Sequence, residues 1–336
     1  MKKILCLMLA VLMIASLTAC TGNTEGETKD LEKITLCLDW TPNTNHTGFY
    51  VAQQQGYYKD AGIELTIVQP AESSAATMCA TNQAQFAIEA QDTLAANFVI
   101  DEPLEITAVG ALLNHNTSGI MSRKGEGLDR PKGMENKVYA TWDSPIELAM
   151  LKQLVEKDGG DWAKVEENLI PNTITDEANA LKEKQTDSVW VFYGWGGINA
   201  ELNNVDVDFF DFASYDSVFD YYTPIIISNN KFLEENPDTA KAFMEATAKG
   251  YEYAIENPEE AAKMLIEGDT TGALADSEEL VTASQKWISE QYVADGDKWG
   301  YIEADRWNGF YKWLWDNKLI EKEIPKDFGF TNDYLS

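Results

Sequence analysis

Short apolar runs alternate with amphipathic stretches along the first third of the chain. The apolar runs have the length and bounding turn residues of β-strands and cover residues 34–38, 64–68, 86–89 and 106–112. Three stretches between them have helical spacing, at 49–61, 73–82 and 93–100, with Gly62 closing the first and Ser73 or Ser74 capping the second. This alternation predicts a parallel sheet with helices on both faces.

A second alternating block runs from Ile120 to about Asp220. It predicts strands at 137–140, 188–192 and 208–211, and helices at 145–157 and 176–184. Residues 222–228 then form a β-branched strand. The rest of the chain has helical patterns at 230–235, 237–257, 258–267, 277–292 and 304–317.

Two such blocks predict an α/β protein with two lobes, joined by two crossover strands. The chain crosses near residue 115 and returns near residue 222, so lobe 1 comprises 34–115 and 223–336, and lobe 2 comprises 116–222. Lobes joined in this way close around a ligand by hinge bending. Ligands of open α/β sheets bind beyond the carboxyl ends of the strands, which is where we expect the site.

The first twenty residues have the pattern of an export signal. Lys2 and Lys3 precede an apolar stretch, residues 4–15, that is too short to span a bilayer, and Leu17-Thr18-Ala19-Cys20 follows. Small residues before a cysteine resemble a bacterial lipobox. We therefore expect a signal peptide at 1–19, a lipid on Cys20, and a polar tether over 20–33. A plain secretory signal with a chance cysteine is the alternative.

Charge and cysteine content limit the partners. The formal net charge is −30, or −32 once Lys2 and Lys3 are removed, and the chain has only three arginines. Nucleic acid and anionic lipid surfaces are therefore poor partners, and the lipid anchor is the expected membrane contact of an extracytoplasmic protein. Cys37 and Cys79 either pair or remain two buried thiols; the sequence leaves this open. The sequence has no C-x-x-C or H-E-x-x-H motif and only two histidines, His46 and His115, so we expect no structural zinc site.

Polar and aromatic residues are concentrated at the predicted strand ends. The loop from Asp39 to His46 presents Trp40, which can stack on a flat ring, although a buried tryptophan at a helix start is the alternative. Glu89 ends the third strand and can accept a hydrogen bond from an amine, whereas Asp92 is expected to cap the next helix.

In the second block, Trp142 follows a strand, and Ser144 with Glu147 has the spacing of a capping box, so a structural role has even odds there. Tyr193 and Trp195 lie among glycines that let backbone approach a ligand. Tyr222 is explained equally well by core packing. The full set of candidate ligand-binding residues, with no catalytic residue among them, is Asp39, Trp40, Asn45, His46, Tyr50, Glu89, Trp142, Ser144, Glu147, Tyr193, Trp195 and Tyr222.

Several of these segments resemble one protein family. The run Asp39-Trp40-Thr41-Pro42-Asn43-Thr44-Asn45-His46, and Gly56-Tyr57-Tyr58-Lys59-Asp60-Ala61-Gly62 after it, are similar to the thiamine pyrimidine-precursor family. That family includes ThiY-like binding lipoproteins and a fungal pyrimidine synthase. The resemblance implies the fold of periplasmic binding proteins. It also implies a formylaminopyrimidine or aminopyrimidine ligand, and partnership with an ABC permease and its ATPase.

The resemblance also implies a binder rather than an enzyme. Glu89 stands where the synthase holds pyridoxal phosphate on a lysine, Thr93 stands where it consumes a histidine, and residues 217–222 lack the cysteines of its iron segment. We therefore expect no cofactor, and a monomer. The alternatives are a binder of another flat heteroaromatic, such as a flavin-related compound, a synthase-like enzyme, or a surface adhesin.

Overall fold

The computed structural model describes residues 31–70, 74–296 and 298–335. The expected signal peptide, Cys20 and the tether up to residue 30 lie outside these residues. Strand β1 begins at Glu32, two residues inside the expected tether, and pairs with residues 63–68. Within the described residues, no helix is long and apolar enough to cross a membrane.

The described residues form two five-stranded sheets surrounded by helices. The strands are β1 (Glu32–Cys37), β2 (Ile63–Val68), β3 (Phe86–Glu89), β4 (Ile106–Ala111), β5 (Ser118–Arg123), β6 (Tyr139–Thr141), β7 (Leu169–Pro171), β8 (Ser188–Phe192), β9 (Val207–Asp211) and β10 (Ile225–Asn229). The predicted α/β class is therefore confirmed.

The helices between β1 and β5 are α1 (Thr47–Gln54), α2 (Tyr57–Asp60), α3 (Ala75–Ala80) and α4 (Gln91–Val99). Those between β5 and β10 are α5 (Pro145–Lys157), α6 (Ala163–Glu166), α7 (Glu177–Lys182), α8 (Ile198–Leu202) and α9 (Phe212–Tyr215). The helices after β10 are α10 (Asn230–Glu235), α11 (Pro237–Glu256), α12 (Pro258–Gly268), α13 (Glu278–Ser289) and α14 (Ala304–Asp316).

Both sheets are mixed, whereas the alternation of elements predicts a parallel sheet. The first has the order β2-β1-β3-β10-β4, with β10 antiparallel to both neighbours. The second has the order β7-β6-β8-β5-β9, with β5 antiparallel to both neighbours. β5 and β10 are the first strands after the chain changes sheets. Neither strand is joined to the preceding strand of its own sheet by a helical crossover. The rule that such crossovers join parallel strands therefore does not fix their direction.

The chain passes between the two sheets twice. It leaves the first sheet at Ala111 and enters the second at Ser118, then leaves at Asp211 and returns at Ile225. We call the first sheet with α1–α4 and α10–α14 lobe 1, and the second sheet with α5–α9 lobe 2. The first connection, 112–117, is a loop, and the second, 212–224, holds α9 and a short 3-10 helix rather than a regular strand.

The predicted helix over 49–61 is two helices in the structure. α1 ends at Gln54, and Gly56 adopts a left-handed backbone with φ of 80° before α2 begins. Such a conformation suits glycine because it has no Cβ. The resulting turn directs Tyr58 into the core, where its hydroxyl lies 2.7 Å from the Thr247 hydroxyl on α11.

α1 and α11 pack with their backbones almost in contact. A Cβ on Gly250 would lie 2.0 Å from the Gly48 carbonyl oxygen, so only a residue without a side chain fits there. The next residue on α11, Tyr251, donates from its hydroxyl to the Asn45 carbonyl over 2.6 Å and stacks on Trp299 at 4.4 Å. This close packing therefore fixes the loop that precedes α1.

We predict that Gly250→Ala destabilises the fold by about 1–3 kcal/mol, because the added methyl forces two backbones apart. Gly309, in the middle of α14 with open space around it, provides the control. Gly309→Ala should raise the free energy of unfolding by about 1 kcal/mol through helix propensity. Denaturant unfolding of both variants measures this, and equal effects of the two substitutions would contradict the packing argument.

Candidate functional site

A cavity of about 260 Å³ opens between the two lobes at the carboxyl end of β1 and β8. Lobe 1 supplies the loop after β1 and one residue of α13; lobe 2 and the first connection supply the rest. The lining residues are Asp39, Trp40, Thr41, Asn43, Thr44, Asn45, Thr117, Phe192, Gly194, Trp195 and Ile288. Its volume lies just below the range usual for drug-sized ligands, so it suits a small molecule.

Asp39 is the ionisable side chain in this lining, and His46 holds it in place. The Asn43 N–H donates to His46 Nδ1 over 3.2 Å, which leaves the proton on Nε2. Nε2 then donates to Asp39 Oδ1 over 2.8 Å. His46 is fully buried, whereas 34% of the Asp39 side chain is exposed. His46 thus positions the carboxylate and does not itself reach the cavity.

The loop that carries Asp39 and Trp40 is anchored by α13 of lobe 1 and by the turn that follows it. The Tyr292 hydroxyl donates to the Thr44 carbonyl over 2.6 Å. The Thr44 and Ser284 hydroxyls lie 2.7 Å apart, and the Ser284 hydroxyl also donates to the Gly194 carbonyl of lobe 2. Ser284 therefore links the two walls of the cavity in this arrangement of the lobes.

Aromatic side chains face the cavity from both lobes. Trp40 is 70% exposed and Phe192 is 39% exposed, which is unusual for side chains of this size. Trp195 belongs to a short π-helix, Tyr193–Gly197, and packs partly buried against apolar residues of lobe 1. An exposed indole from one lobe and an exposed phenyl from the other can stack on a flat ring.

Glu89 ends β3 at the same end of the first sheet as Asp39, but it lies outside the lining of the cavity. Cys37 pairs with Ala87, so Asp39 and Glu89 both stand two residues beyond a paired position on adjacent strands. The Glu89 carboxylate accepts from the N–H groups of Ala76 and Ala90 and from the Thr93 hydroxyl, at 3.2, 3.3 and 2.7 Å. Burial raises the pKa of Glu89, against the effect of these donors.

Asp92 does not cap α4 as expected. The N-cap is Ala90, and Asp92 lies in the first turn, where burial raises the pKa of its carboxyl to about 6. Trp142 is 55% exposed, as a ligand contact would need, but it packs edge-on against Trp190 at 5.9 Å and lies outside the cavity lining.

Glu147 is buried and has a structural role, so the capping interpretation replaces the ligand role considered for it. Its carboxylate accepts from the Tyr139 hydroxyl at 2.6 Å and from the Thr141 hydroxyl at 3.0 Å. It also accepts from the N–H groups of Trp142 and Ser144, each at 3.3 Å. Ser144 is the N-cap of α5. These bonds join the end of β6 to the start of α5 and leave Glu147 no free acceptor towards a ligand.

Three predicted tyrosines also point away from the cavity. Tyr222 is buried, accepts from the Glu303 N–H at 2.8 Å, and lies under the Arg306 guanidinium. Tyr50 is buried in the lobe 1 cluster against which Trp195 packs, and burial raises its pKa to about 12. Tyr193 donates to Glu201 and packs against Phe209 and Trp287 in a neighbouring depression.

The structure thus brings four of the predicted residues together in the cavity: Asp39, Trp40, Asn45 and Trp195. Phe192 and Thr117 line it and were not predicted. Phe192 is the last residue of β8, so its position at a carboxyl strand end was the available signal. Cys37 and Cys79 are both free buried thiols. In the described part of the chain, no three His, Cys, Asp or Glu side chains are grouped to hold a metal ion.

Comparison with known proteins identifies the family. Residues 43–261 match the family model described as NMT1/THI5 like. The chain belongs to the NMT1/THI5-like family. It is 26% identical to the formylaminopyrimidine-binding protein of Halalkalibacterium halodurans, over 98% of both chains. It is 23% identical to a 4-amino-5-hydroxymethyl-2-methylpyrimidine phosphate synthase of Saccharomyces cerevisiae, over 70% of this chain and 71% of the synthase.

Structural comparison confirms the predicted fold of periplasmic binding proteins. The ligand-binding component of an ABC-type import system from Staphylococcus aureus superposes with a TM-score of 0.64. The match covers 89% of this chain and 96% of that protein, at 14% sequence identity. At this identity the likeness establishes the fold alone.

We predict that Glu147→Gln lowers the free energy of unfolding by about 1–3 kcal/mol, because an amide NH₂ then faces donors that need an acceptor. If Glu147 is structural, the variant that folds keeps the ligand affinity of the parent. Thermal unfolding and ligand titration of the same preparation measure both quantities. A loss of affinity without a loss of stability would restore Glu147 to the binding site.

Proposed function

We propose that this protein is the lipid-anchored solute-binding component of an ABC importer, and that it captures a thiamine pyrimidine precursor between its lobes. Formylaminopyrimidine or the free aminopyrimidine is the proposed ligand. The observation that carries the proposal is the interlobe cavity, which is lined by the Asp39 carboxylate and by Trp40 and Phe192 from different lobes. The full-length similarity to the formylaminopyrimidine-binding protein supports this choice of ligand.

The chemistry of the lining suits a flat, amine-bearing ring. Each aromatic pair formed with the ring contributes about 0.5–1.5 kcal/mol beyond the area it buries. Asp39 Oδ1 is occupied by His46, and Oδ2 has no hydrogen-bond partner among the described residues. An exocyclic amine can therefore donate to Oδ2, and a hydrogen bond to a charged acceptor contributes about 1.5–3 kcal/mol.

The size and charge of the cavity favour a single ring over the alternative ligands. About 260 Å³ accommodates a substituted pyrimidine more readily than the three fused rings of a flavin-related compound. An acidic side chain in the lining disfavours a phosphorylated or sulphonated ligand, because like charges repel. The neutral or protonated aminopyrimidine is therefore the ligand class that we propose.

The residues present do not fit the pyridoxal phosphate of the synthases in the same family. Covalent attachment of that group needs an amine to form a Schiff base. Glu89 is a carboxylate and is already hydrogen-bonded to Thr93 and to two backbone N–H groups. Asp39 and Asp92 add two more acids in this region and would repel the phosphate. We therefore propose binding without chemical conversion.

The two connections give this binder its mode of action. We propose that lobe 1 and lobe 2 are the moving domains, with 34–115 and 223–336 on one side and 116–222 on the other. Hinge bending at the connections would close the cavity around the ligand. The closed monomer would then be recognised by the permease, whose ATPase drives import.

Ligand titration of the full chain, expressed in a bacterium and purified in detergent, tests this function. We predict quenching of tryptophan fluorescence by formylaminopyrimidine or by the aminopyrimidine. Trp40→Ala and Phe192→Ala should each raise the Kd about tenfold, through loss of stacking and buried area. Trp315→Ala, an exposed tryptophan of α14 outside the cavity, is the matched control and should leave the Kd unchanged.

Failure of both pyrimidines to bind at millimolar concentration would refute the ligand assignment. If Trp40→Ala and Trp315→Ala raised the Kd equally, the location of the binding site would be refuted instead. Absorbance of a bound pyridoxal phosphate after incubation with that cofactor would favour a synthase-like enzyme.

The lipid anchor has its own test in the N-terminal cysteines. We predict that Cys20→Ala releases the protein from the membrane fraction and abolishes incorporation of labelled fatty acid, because the acceptor thiol is gone. Cys6→Ala, which lies within the expected signal peptide, is the control and should remain membrane-bound. Labelled protein recovered from Cys20→Ala would show that another residue carries the anchor.

A further inference from the structure

A histidine between two carboxylates lies where the chain passes between the lobes. His115, in the first connection, places Nδ1 2.7 Å from Asp220 Oδ2 and Nε2 2.7 Å from Asp295 Oδ1. Ionised carboxylates accept hydrogen bonds and cannot donate them. Both ring nitrogens must therefore carry protons for the two carboxylate bonds to exist together. A neutral ring keeps only one of them, and its Nε2 can instead accept from the Asn114 side-chain amide, which lies 3.3 Å away.

The cluster joins four separate segments. Asp220 belongs to the second connection, and its Oδ1 accepts from the Asn116 N–H at 2.9 Å. Asp295 follows α13 and also accepts from the Asn114 side chain at 3.0 Å. Arg306 of α14 lies 3.5 Å from Asp220 Oδ2 and donates to the Asn114 carbonyl. His115 thus ties the two connections to each other and to lobe 1.

The remaining ionisable groups around His115 lie in two neighbouring depressions. Asp211 and Tyr193 line the depression that contains His115 itself. Lys298 and Glu303 line the other, together with Asp295 and Arg306. Neither Asp211 nor Glu303 lies within hydrogen-bond distance of the ring in the described residues, so Asp220 and Asp295 are the groups that respond directly to its proton.

The lobes are in contact in this arrangement. Ser284 of α13 donates to the Gly194 carbonyl, and Tyr193 packs against Trp287 with ring centroids 5.3 Å apart. A rotation that separates these pairs must change the backbone of the two connections, because the connections are the covalent links between the sheets. Bonds that hold the connections to lobe 1 therefore favour the arrangement with the lobes in contact.

We propose that His115 is a proton-controlled clamp on the hinge, which stabilises the closed lobes when it is protonated and releases them when it is neutral. The consequence for the ligand rests on the proposed function. Loss of the Nε2 proton turns this nitrogen into an acceptor, to which the Asn114 amide 3.3 Å away can donate, and removes the hydrogen bond to Asp295. Asp220 keeps Arg306 and the Asn116 N–H, whereas the exposed Asp295 keeps only the Asn114 amide, so the link to Asp295 is the one that opens.

The direction of the pH dependence follows from the neighbours. The hydrogen bond to Asp220 raises the pKa of His115 above its usual 6.5, the bond to Asp295 adds to this, and burial and Arg306 oppose it. The clamp is therefore fully formed below pH 6.5 and is lost as the pH rises through the raised value. Closed lobes and tight binding are expected on the acidic side.

Nuclear magnetic resonance of the ligand-free, tag-free chain tests the clamp without reference to any ligand. The chain has only two histidines, His46 and His115, so the ring C–H signals are few, and His115→Gln assigns them. We predict a titration midpoint for His115 above 6.5 that falls in Asp295→Asn. A midpoint at or below 6.5, or one unchanged by Asp295→Asn, would overturn the proposal.

The effect on binding is measured with formylaminopyrimidine at pH 6 and pH 9. We predict that the Kd of the parent rises about two- to fivefold between these values, which is the range for a charge pair with one exposed partner. His115→Gln and Asp295→Asn should show a smaller change in Kd. Protonation of the ligand itself affects the parent and the variants equally, so it cancels when they are compared. Glu290→Gln removes an exposed acid directly after α13, outside the cluster, and should keep the parent profile.

The two proposals fail in different ways. If the pyrimidine binds but the parent and His115→Gln have the same pH profile, the clamp is wrong and the function stands. If no pyrimidine binds, the ligand-free chain still decides the clamp. Its radius of gyration from small-angle X-ray scattering should then increase from pH 6 to pH 9 in the parent and stay constant in Asp295→Asn, whose exposed substitution does not threaten folding.

Discussion

The hydrogen bond between the buried His46 imidazole and Asp39 fixes the one charged side chain of the interlobe cavity. Without it, Asp39 would be free to turn into solvent, and the orientation of its second oxygen would be lost. The bond depends in turn on the Asn43 N–H, which sets the tautomer of His46. The loop that carries all three residues is held by Tyr251 of α11 and by Tyr292, which follows α13. The proposed binding chemistry therefore rests on packing far along the chain.

Much of the fold could be predicted because it is encoded locally. The strand over 86–89 and the helix over 145–157 appear in the structure with the predicted bounds, since an apolar run or a Ser-Pro start marks each of them. The antiparallel directions of β5 and β10 are set by the path between the sheets, which no local pattern records. Gly56 carried a local signal for the break between α1 and α2 that the longer helical pattern obscured.

The site was less predictable than the fold, and the reason is its dependence on distant contacts. The sequence placed Asp39 and Trp40 at a strand end, and the structure has them in the cavity. Whether an aromatic residue at a strand end faces the cavity or the core depends on which helix covers it. Tyr193 faces Trp287 of α13, whereas its neighbour Phe192 faces the cavity. The structural role of Glu147 could have been predicted, because its capping-box spacing from Ser144 is visible in the sequence.

The relatives of this chain include a protein named for binding and proteins named as synthases, so similarity alone does not decide between the two activities. We propose that the present chain is a binder, because its cavity offers stacking faces and an acceptor and because Glu89 has no amine to hold a cofactor through a Schiff base. The most direct measurement is native mass spectrometry of the full chain purified without refolding from cells supplied with the pyrimidine. We expect one small aminopyrimidine released per chain, with unchanged mass. A sulphonate or phosphate ester in its place, or a chemically altered pyrimidine, would contradict this assignment.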